Sequence, residues 1–183
     1  MQNFGFTLLE TVITIALSTV MILILAGLAY NFSFVFSYQQ NATQVAGGAG
    51  RVASETDALI RGASQVLSSH TIAGTTYTSG AGALVLALPS IDSSGAVIAG
   101  KSDYAVVYAS STSAYRLVAA DAASSRVSGT KLLTNNLLAL AFAFDNTDFT
   151  QVKGVGVDIK TETKTKQQTL DEHRYQVTYL RNH

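Results

Sequence analysis

The stretch Gly5-Phe6-Thr7-Leu8-Leu9-Glu10 lies close to the start of the chain and opens a long apolar segment. No residue between Thr11 and Phe36 is charged, and the next charged residue after Glu10 is Arg51. About 20 apolar helical residues, each rising about 1.5 Å, are enough to cross the hydrocarbon layer of a bilayer. The segment therefore predicts a membrane-spanning helix that begins with a single carboxylate.

Glu10 is the unusual residue of this segment. A carboxylate drawn toward the centre of a bilayer costs on the order of 3 kcal/mol, so it needs a cationic partner. If the chain is cut between Gly5 and Phe6, the new α-amine of Phe6 lies within about one helical turn of Glu10. We therefore predict an ammonium–carboxylate pair, made within one chain or between neighbouring chains.

These residues resemble the N-terminal signal of type IV pilins and pseudopilins, in which Gly, Phe, Thr, Leu, a further aliphatic residue and Glu precede an apolar helix. All six positions match. The resemblance implies that a prepilin peptidase cleaves after Gly5 and methylates the new N-terminal residue, Phe6. The assembly contact that it implies, as helices stack into a filament, consists of Glu10, Thr7, Leu8 and Leu9.

The resemblance also implies partners and a location. The partners are the prepilin peptidase, other pilins or pseudopilins, an assembly platform protein in the membrane, and the lipid bilayer before assembly. The chain would cross the cytoplasmic membrane once, with its globular domain outside the cytoplasm, and would later join an extracytoplasmic filament. The leader Met1–Phe4 has no Lys or Arg, so the positive-inside rule says little about orientation. Gly27 stands near the place where major pilins often carry a helix-breaking proline, and it is our candidate for local helix melting.

Two other interpretations of the segment stay open. An ordinary secretory signal has a basic region followed by roughly 7–15 apolar residues. Cleavage after Ala29 would fit such a signal, although the basic region is missing and the apolar residues continue to Phe36. An uncleaved membrane anchor is also compatible, but it leaves Glu10 unexplained.

The composition of the chain narrows the classes of function. The sequence has 12 Lys and Arg against 12 Asp and Glu, so there is no basic field that would attract nucleic acid. It has no cysteine, which excludes disulfide bonds and thiol chemistry. The length beyond the apolar segment allows one modest domain.

Hydrophobic periodicity predicts an α+β fold. We divide the chain into a leader (1–5), an apolar helix (6–37) and a pilin-like globular domain (38–183). The helix is expected to continue to about Ser68, because apolar residues recur there at three- and four-residue steps. These positions are Val45, Ala49, Val52, Thr56, Leu59, Ile60, Ala63, Val66 and Leu67. The glycines at 47, 48 and 50 weaken the middle of this helix and suggest a bend.

The rest of the chain predicts an antiparallel sheet with one face covered by the helix. We expect a loop over Ser69–Gly82, a strand over Ala83–Leu88 that ends at Pro89, a brief extended piece at 96–98, and a polar linker over Ala119–Asn136. The expected hairpin pairs Tyr104–Ala109 with Tyr115–Val118. Three alternating strands follow, with buried faces formed by Leu138, Leu140, Phe142 and Phe144, by Val155, Val157 and Ile159, and by Tyr175, Val177 and Tyr179.

Catalytic patterns are missing from the sequence. His70, His173 and His183 do not have metal-ligand spacing, and there is no nucleophile elbow or phosphate-binding glycine loop. Asp145 and Asp148 are weak candidates for a metal site. They lie in a predicted turn, where Asp side-chain oxygens usually bond to the backbone instead. We expect no enzymatic activity and no cofactor.

We therefore expect a structural subunit of a type IV pilus-like or type II secretion-like filament. Short motifs resemble those of minor pilins and of J-type or W-type subunits near the filament tip, for example Asp103-Tyr104-Ala105-Val106-Val107-Tyr108. The alternative is a single-pass, membrane-anchored extracytoplasmic binding protein that does not polymerise.

Overall fold

A computed structural model describes residues 7–164 and 168–181 and shows an α+β fold. Contacts divide the chain into two units, and the division falls between Asn41 and Ala42. Helix α1 (Leu8–Gly62) contributes to both units. The strands are β1 (Gln65–Val66), β2 (Ser69–Ile72), β3 (Thr75–Thr78), β4 (Ala83–Ile91), β5 (Val97–Ser110), β6 (Ser113–Ala119), β7 (Gly129–Thr134), β8 (Leu137–Phe144), β9 (Gly154–Lys164) and β10 (Thr169–Tyr179).

The second half of α1 covers the sheets of the globular unit. The predicted apolar stripe is confirmed here, since it lies in one core with residues of β4, β5, β8 and β9. Its fully or nearly fully buried helical members are Val45, Ala49, Val52, Thr56 and Ile60. The predicted weak point at the glycines is a packing site: a Cβ at Gly48 would lie 2.6 Å from Thr134 Oγ1. The helix is continuous through the three glycines, and Gly48 allows the end of β7 to approach closely.

The prediction that α1 continues to Ser68 is wrong. The helix ends at Gly62, and the following residues join the sheet as β1. The Ser64 N–H donates to the Ala87 carbonyl at 2.9 Å, and the Leu67 N–H donates to the Val85 carbonyl at 2.9 Å. Val66 is buried as expected, but it belongs to a strand, because backbone groups of β4 are available as partners there.

The larger sheet has five antiparallel strands in the order β1-β4-β5-β6-β7. The predicted β5–β6 hairpin is confirmed, with Ser110 paired to Ser113. The prediction that a strand ends at Pro89 is wrong, since β4 continues to Ile91. Pro89 is tolerated because β1 pairs only with residues 86 and 87, which leaves no neighbour on that side that needs its missing N–H.

Two segments that we expected to be irregular contain strands, and one predicted extended piece is longer than expected. The predicted loop at 69–82 holds the β2–β3 hairpin, whose turn residues Ala73 and Gly74 both have positive φ. The brief piece at 96–98 is the start of the long strand β5. The predicted linker after Ala119 contains β7, which pairs with β6. The short strands β2 and β3 are rich in Thr and Ser and lack a clear apolar alternation. They are recognisable as strands from their backbone pairing, not from their sequence.

A buried carboxylate fixes the segment between β6 and β7. Asp103 is fully buried and accepts hydrogen bonds from Ser90 Oγ at 2.7 Å and from the Asp121 N–H at 2.8 Å. Ser124 Oγ and Arg126 Nη1 donate to its second oxygen at 2.8 and 2.7 Å. Burial alone would raise the pKa of Asp103, but these hydrogen bonds lower it below its usual value.

The smaller sheet has the order β10-β9-β8, and two predictions about its faces are wrong. Leu138 points outward, because a register shift between Leu137 and Ala139 puts Leu137 in the core instead. Tyr175, Val177 and Tyr179 of β10 are exposed. Their intervening neighbours face inward, because they pair with the core residues of β9 and directly paired residues share a face.

Candidate assembly site

The first turn of α1 is built by Thr7, which immediately precedes the helix. Its Oγ1 accepts a hydrogen bond from the Glu10 N–H at 3.3 Å, the bond of a helix N-cap. Thr7 and Glu10 thus have the spacing of a capping box, in which the Glu side chain bonds back to the N-cap N–H. That second bond is not formed in the described chain. The capping role of Thr7 was not predicted, although the Thr-x-x-Glu spacing that indicates it is visible in the sequence.

The Glu10 carboxylate has no hydrogen bond or ion pair within residues 7–164 and 168–181. It is exposed, together with Thr7, Leu8 and Leu9. The structure thus brings the four predicted assembly residues together on the first turn. Gly5 and Phe6, the predicted processing and methylation residues, lie outside the described residues.

No part of the described chain covers the apolar half of α1. Its leucines, isoleucines and phenylalanines are exposed along its whole length, with Leu8 at 86% and Ile22 at 65%. Within the described residues, α1 is the one helix long and apolar enough to cross a membrane, judged by length and composition. Such a surface needs lipid or other helices around it, because its contact with water is unfavourable.

Three threonine hydroxyls of this half donate hydrogen bonds to backbone carbonyls of the same helix. Thr14 Oγ1 donates to the Glu10 carbonyl at 2.7 Å, and Thr19 Oγ1 donates to the Ile15 carbonyl at 2.8 Å. Thr11 Oγ1 makes the same type of bond to the Thr7 carbonyl at 3.2 Å. Hydroxyls bonded in this way need no water, which suits a helix in an apolar environment.

Gly27 lies inside the continuous helix, and no atom lies within 4 Å of the position that a Cβ would take. The helix is intact in this single chain. Local melting of α1 at Gly27 during assembly stays a prediction.

Glu55 offers a contrast on the same helix. Its carboxylate binds Arg116 Nη1 at 2.7 Å and also Lys131 Nζ, and so ties α1 to β6 and β7. The hydrogen bond from Lys131 is the main cause that lowers the pKa of Glu55, with a further contribution from the charge of Arg116. This glutamate has cationic partners of the kind that Glu10 lacks among the described residues.

Asp145 and Asp148, the weak metal candidates, bond to the backbone. Asp145 Oδ2 accepts from the Gly154 N–H at 2.8 Å, and Asp148 Oδ1 accepts from the Thr150 N–H at 2.9 Å at the start of a short 3-10 helix (Phe149–Gln151). No cluster of three or more His, Asp or Glu that could hold a metal is found among the described residues. The carboxylates stabilise a turn, as side-chain oxygens of Asp often do.

The chain was compared with protein-family models, with curated proteins and with solved structures, and none of them matches. The function is therefore inferred from the N-terminal motif and from the properties of α1.

Proposed function

We propose that the protein is a structural subunit, a minor pilin or pseudopilin, of a type IV pilus-like or type II secretion-like filament. The observation that carries the proposal is the hexapeptide ending in Glu10, joined to a helix half that is apolar and uncovered by its own chain. A signal or a plain anchor accounts for the apolar residues but gives the carboxylate no role.

The apolar half of α1 supplies the adhesion in this proposal. In the membrane, lipid surrounds its side chains, and in the filament the helices of neighbouring subunits take the place of lipid. Lipid tails are as apolar as these side chains, so the hydrophobic effect does not drive the exchange. Van der Waals packing between the helices can drive it instead. Apart from the local melting predicted at Gly27, the transfer leaves the backbone hydrogen bonds of the helix unchanged.

Glu10 supplies the register. A neighbour's N-terminal amine, exposed by cleavage after Gly5, neutralises this carboxylate in an environment of low dielectric constant. Breaking a buried pair by removing one partner costs about 3–5 kcal/mol, so subunits misplaced along the filament axis are disfavoured. The hydrogen bond from the Glu10 N–H to Thr7 stabilises the first turn, from which the carboxylate projects.

This role needs partners but no catalytic residue in the chain. Processing at Gly5 and Phe6 requires a prepilin peptidase, and polymerisation requires sibling subunits and an assembly platform protein. The globular unit would lie outside the cytoplasm, attached first to the cytoplasmic membrane and later to the filament.

Substitution of Glu10 tests the proposal. In the native host, we expect Glu10→Ala and Glu10→Gln to be cleaved and methylated normally, while their share in sheared filaments falls about tenfold or more, as loss of a buried ion pair requires. Glu10→Asp keeps the charge and should retain a larger share than Glu10→Gln. N-terminal mass spectrometry of the membrane fraction separates failed processing from failed assembly.

Two results would count against the proposal. Incorporation of Glu10→Gln at the wild-type level would show that the carboxylate does not set the register. Absence of the wild-type protein from filaments, with its siblings assembled normally, would favour a membrane-anchored extracytoplasmic binding protein that does not polymerise.

A further inference from the structure

The outer edge of β10 is the open edge of the smaller sheet. This strand has 11 residues, and among the strands that the structure describes it pairs with β9 alone. The other long edge strand, β8, is bonded to segments of the larger sheet: the Leu137 N–H donates to Thr112 O at 2.8 Å, and the Phe142 N–H donates to Ala81 O at 3.0 Å. A long strand edge with unpaired backbone groups is a template for another strand.

The direction of the unpaired groups follows from the ladder. The Leu180 N–H donates to the Lys153 carbonyl at 2.8 Å, which extends the β9–β10 pairing by one residue. In an antiparallel pair, alternate residues direct both N–H and C=O toward the same neighbour. Even-numbered residues of β10 therefore bond to β9. The residues that direct N–H and C=O toward the open side are Asp171, His173, Tyr175, Val177 and Tyr179.

The second half of this edge has none of the usual protection against pairing. Residues 171–174 include charged side chains, but Tyr175–Tyr179 has no charge, no proline and no register shift. The tyrosine rings also leave the edge uncovered, because they lean over β9. A Cβ at Gly156 would lie 2.9 Å from Tyr175 Oη, and one at Gly154 would lie 3.0 Å from Tyr179 Cε1.

The uncharged half is self-complementary. The sequence Tyr-Gln-Val-Thr-Tyr over 175–179 has the same pattern of side chains in both directions around Val177. Antiparallel pairing of two copies about Val177 sets each Tyr175 opposite a Tyr179 and pairs odd-numbered residues with odd-numbered ones, as the backbone directions require.

We propose that β10 pairs antiparallel with β10 of a second copy of this chain, centred on Val177. The pairing joins the smaller sheets of the two copies into one continuous sheet. The contact joins the globular units of two copies, and it does not depend on the proposed function. Five residues a side give a small interface compared with about 800 Å² per partner in stable complexes. Association is therefore weak in dilute solution and increases where copies are concentrated on a surface.

Cross-linking of the full-length chain in detergent micelles tests the pairing, because the chain has no cysteine of its own. In the Val177→Cys variant the two thiols face each other across the two-fold axis. A short bis-maleimide should therefore give a covalent dimer. Tyr175→Cys is the matched control on the same strand and face. Its two thiols would be four residues apart along the strands, about 13 Å, and should cross-link at least several-fold less. Equal yields from the two variants, or no dimer from Val177→Cys, would overturn the proposal.

Charge substitution at the same position gives a second test. Val177 is 48% exposed, so Val177→Lys and Val177→Glu should fold normally, which thermal unfolding can check. Each variant alone sets like charges against each other and should lose the association measured by sedimentation equilibrium of the wild type. An equimolar mixture should restore it as a mixed dimer. A wild type that stays monomeric at all concentrations, or a mixture that fails to associate, would contradict pairing at Val177.

Discussion

The two halves of α1 carry similar side chains in opposite surroundings. Ile22, in the first half, is 65% exposed, whereas Ile60, in the second half, is completely buried under the sheets. Glu10 has no cationic partner in the described chain, whereas Glu55 has Arg116 and Lys131. One helix thus has a half that is completed by its own fold and a half that requires other molecules. On the proposal above, the first half makes the contacts with other subunits.

The largest expected effect separates the two isoleucines. Ile60→Ala should lower the free energy of unfolding by about 2–5 kcal/mol, because it removes buried methyl groups from a packed core. Ile22→Ala, the matched change in the uncovered half, should alter it by less than about 0.5 kcal/mol. Chemical denaturation of the full-length protein in detergent, followed by tyrosine fluorescence of the globular unit, measures both. Equal losses would mean that the first half is also part of the folded core.

The glycines should show a smaller difference of the same kind. Gly48→Ala puts a Cβ 2.6 Å from Thr134 Oγ1 and 2.8 Å from Asn136 Oδ1, so we expect a loss of about 1–3 kcal/mol from overpacking. Gly27→Ala meets open space and should stabilise the helix by up to about 1 kcal/mol. Thermal unfolding by circular dichroism compares the two variants with wild type. A Gly48→Ala protein as stable as wild type would contradict the close approach of Thr134.

The glutamates should differ least in stability and most clearly in pH dependence. Because the folded-state pKa of Glu55 is lowered, its carboxylate stabilises the fold above the unfolded-state pKa. This contribution, about 1 kcal/mol for a partly exposed pair, is lost as the pH falls through the folded-state pKa. Glu55→Gln should therefore be less stable than wild type at pH 7, and the difference should shrink as the pH falls and vanish below the folded-state pKa of Glu55. Glu10→Gln removes a carboxylate without a partner among the described residues and should be as stable as wild type at pH 7; a loss of stability would reveal an intramolecular partner.

Much of the fold could be predicted from the sequence, because periodicity reports burial where one face is apolar. The stripe of α1, the β5–β6 hairpin and the alternation of β9 follow from it. The exposed face of β10 could not be predicted, since its aromatic residues suggest burial. Its inward residues are polar, and they bond to α1: Gln176 Nε2 donates to the Ala53 carbonyl at 2.9 Å, and Thr178 Oγ1 donates to Asp57 Oδ1 at 2.7 Å.

For the candidate site, the sequence supplied most of the information and the structure added less. Its residues were chosen from a short motif, and the structure adds the N-cap bond of Thr7 and the exposure of Glu10. The cationic partner could not be found in one chain, because on our hypothesis it is created by cleavage and supplied by a neighbour. The chemistry of this site therefore has to be examined in protein from its native host.

Mass spectrometry of the N-terminal peptide, on protein purified from the native host, tests the central claim most directly. The account predicts that the mature chain begins with N-methylated Phe6. A chain that begins at Met1, or one that begins after Ala29, would contradict it.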